Sequence, residues 1–360
     1  MENIKVLVTA AGGSGGSNYI ASLNLVSDIE FSISGTDTNK YMLELTSGLH
    51  AKYLLPHAEN KHYLEKLNTV ISQEKIEFIH FQSEQEVWFA SQNFDKINAK
   101  IMIPSYEALK MLTDKSELNR HLDRAGLSVP KAFHLRNERD LQEALEELLK
   151  LGDCAWLRAK NGGGSRASLP VNTMLQAKGW IDYWIKRKNL EFNDFMISEF
   201  LPGKEFAFQS VWKDGELVCS MARQRVEYLF GHLFPSGQSS SPSVAKTIHR
   251  DDVNKAATKA IKVADPKANG VYCVDMKENS RGVPCITEIN AGRFYTTSNN
   301  FSTAGLNMPY YHVMLGMDRD EKIGNLPKYN GIPENWYWVR MMDMGYKLIK
   351  DDEWLSKIVQ

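Results

Sequence analysis

The sequence predicts a small α/β domain with a parallel sheet over residues 1–104, followed by a larger α+β region built on antiparallel strands. Three observations carry this expectation. Short apolar runs alternate with helical patterns up to residue 104. Amphipathic helices then dominate to residue 151, and from residue 154 strand-like runs return, joined by hairpins and long loops.

The first apolar run, IKVLVT (4–9), ends in glycines and reads as a buried strand that turns into a helix over Tyr19–Leu25. A second strand, Phe31–Gly35, ends at Asp37. Residues 62–73 place Tyr63, Leu64, Leu67, Val70 and Ile71 near helical spacing. Strand-like FIHF (78–81), a helix from about Glu86 and KIMIP (100–104) complete the domain. Asp114 is placed to cap a helix, with Glu117 completing a capping box and Leu118 and Leu122 as its apolar stripe. Gly126 and Pro130 end that helix. Another, Asn137–Leu151, buries Leu141, Leu145, Leu148 and Leu149 and stops at Gly152. Strand 154–160 alternates, with Trp156, Arg158 and Lys160 on one face and Ala155, Leu157 and Ala159 on the other. Further strands are expected at 195–200, 205–212, 217–226, 270–276 and 284–290. The C-terminal stretch, with 335–349, reads as a strand-like appendix covering a core edge.

At 360 residues the chain is long enough for two or three lobes. Its net charge of −1, without a long Lys/Arg run, offers no field for nucleic acid. No stretch approaches the ~18 apolar residues of a membrane span, and MENIKVLVTAAGG is broken by glycine too early for a signal peptide. Cys154, Cys219, Cys273 and Cys285 lie far apart with no CxxC pair, so they read as small core residues in a reducing cytoplasm.

Three constellations carry chemistry. AAGGSGGS (10–17) offers two of the three glycines of a dinucleotide fingerprint, at Gly13 and Gly16 with Ala11 in the first place, and Asp37 could then hold a ribose. A tight strand-to-helix turn explains the same residues. NGGGSRAS (161–168) follows a strand bearing Arg158 and Lys160, and Arg166 lies within it. Glycine amides and converging cations suit phosphates; a flexible hairpin with solvated charges is the competing reading. The third constellation is Asp275 with Glu288 and Asn290. Glu288 and Asn290 share a strand face, and a hairpin centred between Arg281 and Gly282 sets Asp275 opposite Glu288. Facing carboxylates repel unless a hard cation such as magnesium lies between them; an exposed acidic pair is the alternative.

In chain order, VLVTAAGGSGG with SGTDTN, TDKSELNRHLDRAGLSVPKAF (113–133), WLRAKNGGGSRA (156–167), ISEFLPGKEFAF (197–208) and VDMKENSRGVPCITEINAGR (274–293) resemble the ATP-grasp superfamily. The likeness is to its carbamoyl phosphate synthetase and D-alanine–D-alanine ligase branches, and it covers residues 4 to about 316. It implies an ATP-grasp fold preceded by a Rossmann-like domain. The implied division is 1–104, 105–198 with a glycine-rich lid, 199–325 with the metal site, and an appendix from 326 to 360.

The resemblance also implies roles. Lys115, Arg158 or its competitor Lys160, and the lid residues Gly163, Gly164 and Ser165 would meet the nucleotide phosphates. Glu199, Phe200 and Leu201 would face adenine, and Glu205 would hold the ribose. Asp275, Glu288 and Asn290 would hold two magnesium ions, with manganese able to substitute. Arg293 would stabilise the acyl phosphate and the oxyanion. Arg225, beside Arg223 and His232 at the loop 227–243, suits a carboxylate or phosphate and joins Arg293 as a catalytic candidate. The implied activity is ATP-dependent activation of a carboxylate and its joining to an amine, on small-molecule substrates, with room for a homodimer. A carbamoyl phosphate-type or other phosphoryl-transfer enzyme on the same fold, a dinucleotide-dependent oxidoreductase and a nucleotide sensor are the alternatives. The chain departs from the family where Asn-Ala-Gly-Arg (290–293) replaces the usual Asn-Pro-Arg.

Overall fold

The computed structural model describes residues 2–162, 167–239, 241–341 and 357–358. The N-terminal region runs β1 (Glu2–Val8), α1 (Ser14–Leu23), β2 (Ile29–Asp37), α2 (Lys40–Leu45), β3 (Ala51–Leu54), α3 (Tyr63–Glu74), β4 (Phe78–His80), α4 (Glu84–Gln92) and β5 (Lys100–Ile101). Its strands pair in parallel in the order β3-β2-β1-β4-β5, as the strand–helix alternation predicts. Ile4, Val6, Leu7 and Val8 are all fully buried, because helices cover both faces of the sheet.

The glycine turn after β1 is closed by the protein itself. The Gly12 amide donates to Asp37 Oδ2 at 2.9 Å, and Asp37 Oδ1 accepts from Asn39 N at 2.8 Å. A Cβ at Gly15 would stand 2.2 Å from Gln82 Nε2, which donates to Phe294 O. The Asp37 carboxylate is thus spent on the turn, which favours the tight-turn reading over a ribose site.

The chain continues through α5 (Tyr106–Thr113), α6 (Lys115–Arg124), β6 (Ala132–His134), α7 (Glu138–Leu148), β7 (Ala155–Ala159), β8 (Leu169–Val171), α8 (Met174–Lys188) and β9 (Phe195–Glu199). Strands β6-β9-β7-β8 form an antiparallel sheet, and Leu141, Leu145, Leu157, Ile181 and Ile197 close a core between it, α7 and α8. The last stretch is β10 (Glu205–Lys213), β11 (Glu216–Tyr228), β12 (Pro242–Ile248), α9 (Asp251–Ala264), β13 (Gly270–Glu278), β14 (Pro284–Ala291), α10 (Ser298–Thr303), α11 (Met308–Gly316), β15 (Tyr337–Val339) and β16 (Lys357–Ile358). It forms a larger antiparallel sheet, β14-β13-β10-β11-β12-β15.

Two features depart from the sequence expectation and two add to it. Helices α8 and α9 stand where hairpins and loops are expected. Helix α9 buries Val253, Ala257, Ala260 and Ile261, a stripe too poor in large residues to read as a helix, and α8 fully buries only Ala177 and Ile181. Asp114 caps α6 through Ser116 N and Glu117 N, but the Glu117 side chain pairs with Arg120 rather than closing a capping box. Helix α11 lies in one core with β1, β2 and α1, and with Val211, Cys219 and Val271 from the large sheet. Strand β16 adds in parallel to β3, so the C-terminal stretch touches both the large sheet, through β15, and the N-terminal sheet. Residues 342–349 of the expected appendix lie outside the described residues.

Candidate active site

The two antiparallel sheets face each other across a cleft, and the linker 200–204 between β9 and β10 runs along its edge. The alternation expected on β7 holds. Ala155, Leu157 and Ala159 enter the core, while Trp156 and Arg158 line the cleft, which Ala159 also borders at the strand end. Lys160 lies just past the strand end and is not among the lining residues. On the large sheet, Glu205 pairs in register with Arg225 on one side and Lys277 on the other. Asp275 pairs with Glu288, as the hairpin argument requires.

That pairing has a local cause. The turn bond runs from Asn279 N to Val283 O, and near the turn the pairs are Met276–Ile286 and Lys277–Cys285. Continued unchanged, this register would set Asp275 against Thr287. A β-bulge between Asp275 and Met276 shifts the register by one and brings Glu288 opposite. Thr287 Oγ1 donates to Asp275 O at 3.0 Å, and Arg158 Nη2 donates to Thr287 O at 2.8 Å, which pins the bulge from both sides.

The cleft balances cations against carboxylates. Lys115, the first residue of α6, donates from Nζ to Gly162 O at 2.7 Å and lies 3.6 Å from Glu288 Oε2. Arg158 Nη1 is 3.8 Å from the same oxygen. Arg225 Nη2 donates to Asp275 Oδ1 at 2.6 Å. Glu205 accepts from Lys277 Nζ at 2.7 Å, from Gln238 Nε2 at 2.5 Å and from Tyr228 Oη. Burial raises the Asp275 carboxyl and the charge of Glu288 raises it further. Burial acts on Glu288 the same way, but Lys115 and Arg158 outweigh it and hold that carboxyl below the usual range. Burial lowers Lys115. Among the described residues, the Nε–H groups of Arg158 and Arg225 are buried without a partner, so both guanidiniums are incompletely satisfied.

Glu199, Phe200 and Leu201 line the cleft with Lys115, Arg158, Arg225, Glu205, Asp275 and Glu288. Glu199 Oε2 accepts from Lys131 N at 3.1 Å, and Phe200 lies 5.4 Å under Lys277 Nζ. Asn290 and Arg293 line an adjoining depression instead. There Asn290 donates to Glu288 Oε1 at 3.3 Å and accepts from Arg293 Nη2 at 3.0 Å, while Arg293 lies 3.7 Å from Glu84. Gly163, Gly164 and Ser165 lie outside the described residues, as does Arg166. Lys277, Tyr228, Gln238 and Trp156 also line the cleft. Of these Trp156 was legible in the sequence, on the β7 face of Arg158, and so was Lys277, two residues from Asp275 and so on the same strand face.

Among the described residues no three His, Cys, Asp or Glu side chains gather as a metal group. The donor set is two carboxylates and one amide, all hard oxygens. That suits magnesium, which takes one or two carboxylates and completes its octahedron from phosphates and water. It does not suit zinc, which wants His or Cys.

No family model matches the chain, and no curated protein sequence is significantly similar to it. Solved structures are similar. The biotin carboxylase of Campylobacter jejuni, in a beta-gamma-ATP complex, superposes with a TM-score of 0.69 at 14% identity over 93% of this chain and 74% of its own. The N5-carboxyaminoimidazole synthetase of Staphylococcus aureus, complexed with ADP, gives 0.64 at 15% identity, over 91% of this chain and 80% of its own. The D-alanine–D-alanine ligase of Coxiella burnetii gives 0.59 at 13% identity, over 90% and 96%. These neighbours have the ATP-grasp fold, and this chain shares it. The resemblance read from the sequence therefore holds at the level of fold.

Proposed function

We propose that the chain is an ATP- and magnesium-dependent ligase that activates a carboxylate as an acyl phosphate and joins it to an amine, with release of ADP. The observation that carries this is the facing pair Asp275–Glu288, met in one cleft by Lys115, Arg158 and Arg225. Ligand-free, these groups neutralise one another. With a magnesium-bound triphosphate present, the cations would hold phosphate oxygens and the carboxylates would hold the metal. The exchange keeps every buried charge paired, which a low-dielectric cleft demands.

In this reading Lys115 and Arg158 hold the phosphates, together with the lid residues Gly163, Gly164 and Ser165. Glu199 and the backbone of Phe200 and Leu201 face adenine. Glu205 holds the ribose, and Lys277 keeps it charged. Asp275, Glu288 and Asn290 hold magnesium, two ions or manganese in their place. Magnesium, when bound, neutralises charge on the transferring phosphoryl group. Arg225 already stands at Asp275 and is better placed than Arg293 to steady negative charge on the reacting carbonyl. Arg293 acts through Asn290. No helix among the described residues is long and apolar enough to cross a membrane, and the four cysteines are free. Both suit the cytoplasmic enzyme of small acids and amines that we propose.

The test is ADP release from ATP with candidate acids, with and without amines, and with hydroxylamine to trap an acyl phosphate as hydroxamate. ADP that requires an acid, and amide that requires an amine, is the expected result. Acid-dependent ADP with no amine acceptor would assign the phosphoryl-transfer alternative on the same fold. Tight NAD binding without any response to Mg-ATP would sink the reading.

A further inference from the structure

A second cavity of about 220 Å³ opens on the same face of the large sheet, between β15 and α10. Its walls are mostly apolar and include Phe301, Ala304, Ile332, Trp336 and Trp338. Thr247 N donates to Trp336 O, Trp336 N donates to Thr247 Oγ1 at 2.9 Å, and Thr247 is in register with Arg223. Trp338 pairs with Ala245, which pairs with Arg225. Both indoles therefore share the face of the candidate active site.

The other notable wall residue is Arg223, which is only 5% exposed. Among the described residues no carboxylate lies within ion-pair distance of it. With the Gln209 amide turned so that its oxygen faces the guanidinium, Gln209 accepts from Nε at 3.1 Å and from Nη2 at 3.2 Å. Thr297 Oγ1 accepts from Nη1. Among the described residues, one N–H on each terminal nitrogen is left without a hydrogen-bond partner. The rings of Tyr295 and Trp338 lie 5.4 and 5.7 Å away, and such contacts stabilise a cation only modestly. A buried charge with no counter-ion is among the costlier arrangements in a folded protein. It is accounted for if an anion completes it. Lys246, the other cation in the wall, is directed to Asn335 and the Tyr337 ring.

We propose that this cavity binds a carboxylic acid with an apolar body the size of one aromatic ring or a short branched chain, its carboxylate seated on Arg223. The two free N–H groups form a planar fork that matches a carboxylate. An apolar cavity of about 150 Å³ already holds benzene, so this one takes a ring with a short chain. Arg223 and Asp275 flank Ala207 in register on β11 and β13, so the seated carboxylate lies beside the carboxylate pair of the first cleft. Identifying this ligand as the acid that is activated rests on the ligase reading; the binding site does not.

The test is titration of the full chain with 3-phenylpropionate, its neutral isostere 3-phenylpropanamide, and acetate, followed by tryptophan fluorescence and melting temperature, with and without a non-hydrolysable Mg-ATP analogue. 3-Phenylpropionate is expected to quench fluorescence and raise the melting temperature, and the amide and acetate to bind about tenfold more weakly or worse. Arg223→Met should abolish acid binding while melting no lower than the wild type without ligand, because it removes an unpaired buried charge. Ala304→Phe should abolish it by filling the cavity with Arg223 intact. Equal affinity for acid and amide, unchanged affinity in either variant, or an Arg223→Met protein that melts well below the wild type would overturn the proposal. A wild type that answers to the Mg-ATP analogue but to no acid refutes this site alone; one that binds the acid but not the analogue refutes the ligase reading and with it the ligand's role as substrate.

Discussion

At Glu288 the carboxylate stands between a facing acid, Asp275, and two cations, Lys115 at 3.6 Å and Arg158 at 3.8 Å. Glu288→Gln keeps the shape and relieves the repulsion, worth ~0.2–1 kcal/mol for a facing pair. It also leaves two mostly buried cations short of a counter-charge, a loss of about 1–2 kcal/mol once partial exposure is allowed for. The second effect is the larger. The variant should melt a few degrees below the wild type without ligand, gain little from Mg-ATP and release no ADP. Near wild-type turnover would move the metal site off this hairpin. The two cations of β7 and its end separate in the same assay. Arg158→Ala should weaken Mg-ATP binding about tenfold or more, as loss of a charge-assisted contact does, and Lys160→Ala should leave it near wild type. The reverse order would give Lys160 the role. At this scale most of the site is legible, because strand alternation and a single hairpin are local. What alternation cannot reveal is the bulge at Thr287 or the choice between Arg225 and Arg293. Both depend on which partner strand lies alongside.

The linker 200–204 joins the two sheets, and one glycine sets its path. A Cβ on Gly203 would lie 2.5 Å from Glu278 Cβ and 2.9 Å from Glu278 O. Gly203 N donates to that carbonyl at 3.0 Å, and Lys204 N to the Glu278 carboxylate at 3.2 Å. Gly203→Ala must push the linker off β13, at a cost of about 1–3 kcal/mol. Because Glu205 follows two residues later, Mg-ATP affinity should fall together with melting temperature. A variant with unchanged affinity would show that the nucleotide does not read this linker. The cleft encloses only about 140 Å³, below the ~300–1,000 Å³ of most ligand pockets. Its paired side chains would therefore have to part to admit a triphosphate. Among the elements, the strands of the hairpin that carries Asp275 and Glu288 were legible and α8 and α9 were not. Their buried stripes are short or alanine-rich, and their helical state is decided by the sheets they cover.

The two lobes that meet at α11 share a buried polar cluster. His312 Nε2 donates to Met102 O at 2.9 Å and its Nδ1 accepts from Tyr19 Oη at 3.2 Å, and His80 stacks on Tyr19 at 4.0 Å. Burial lowers both histidines, His312 to about 4. Unfolded histidine takes up its proton near pH 6.5. Between about pH 6.5 and 4 the unfolded chain thus binds more protons, so stability is fully present above 6.5 and falls as pH drops through that window. His312 alone accounts for on the order of 3 kcal/mol across it. Urea melts at successive pH values should show that slope in the wild type and a shallower one in His312→Gln; equal slopes would exclude the histidine. Taken alone, the sequence determined the parallel N-terminal sheet, the antiparallel second half, the hairpin that carries Asp275 and Glu288, and the cationic strand ahead of the glycines. Each of these follows from periodicity or from a turn within some tens of residues. Only the tertiary structure decided that α11 packs on the first sheet, that Trp336 and Trp338 wall a cavity floored by Arg223, and that Arg225 rather than Arg293 stands in the cleft. Those contacts join residues far apart in the chain, and hydrophobic burial and charge pairing select them only once the sheets have formed.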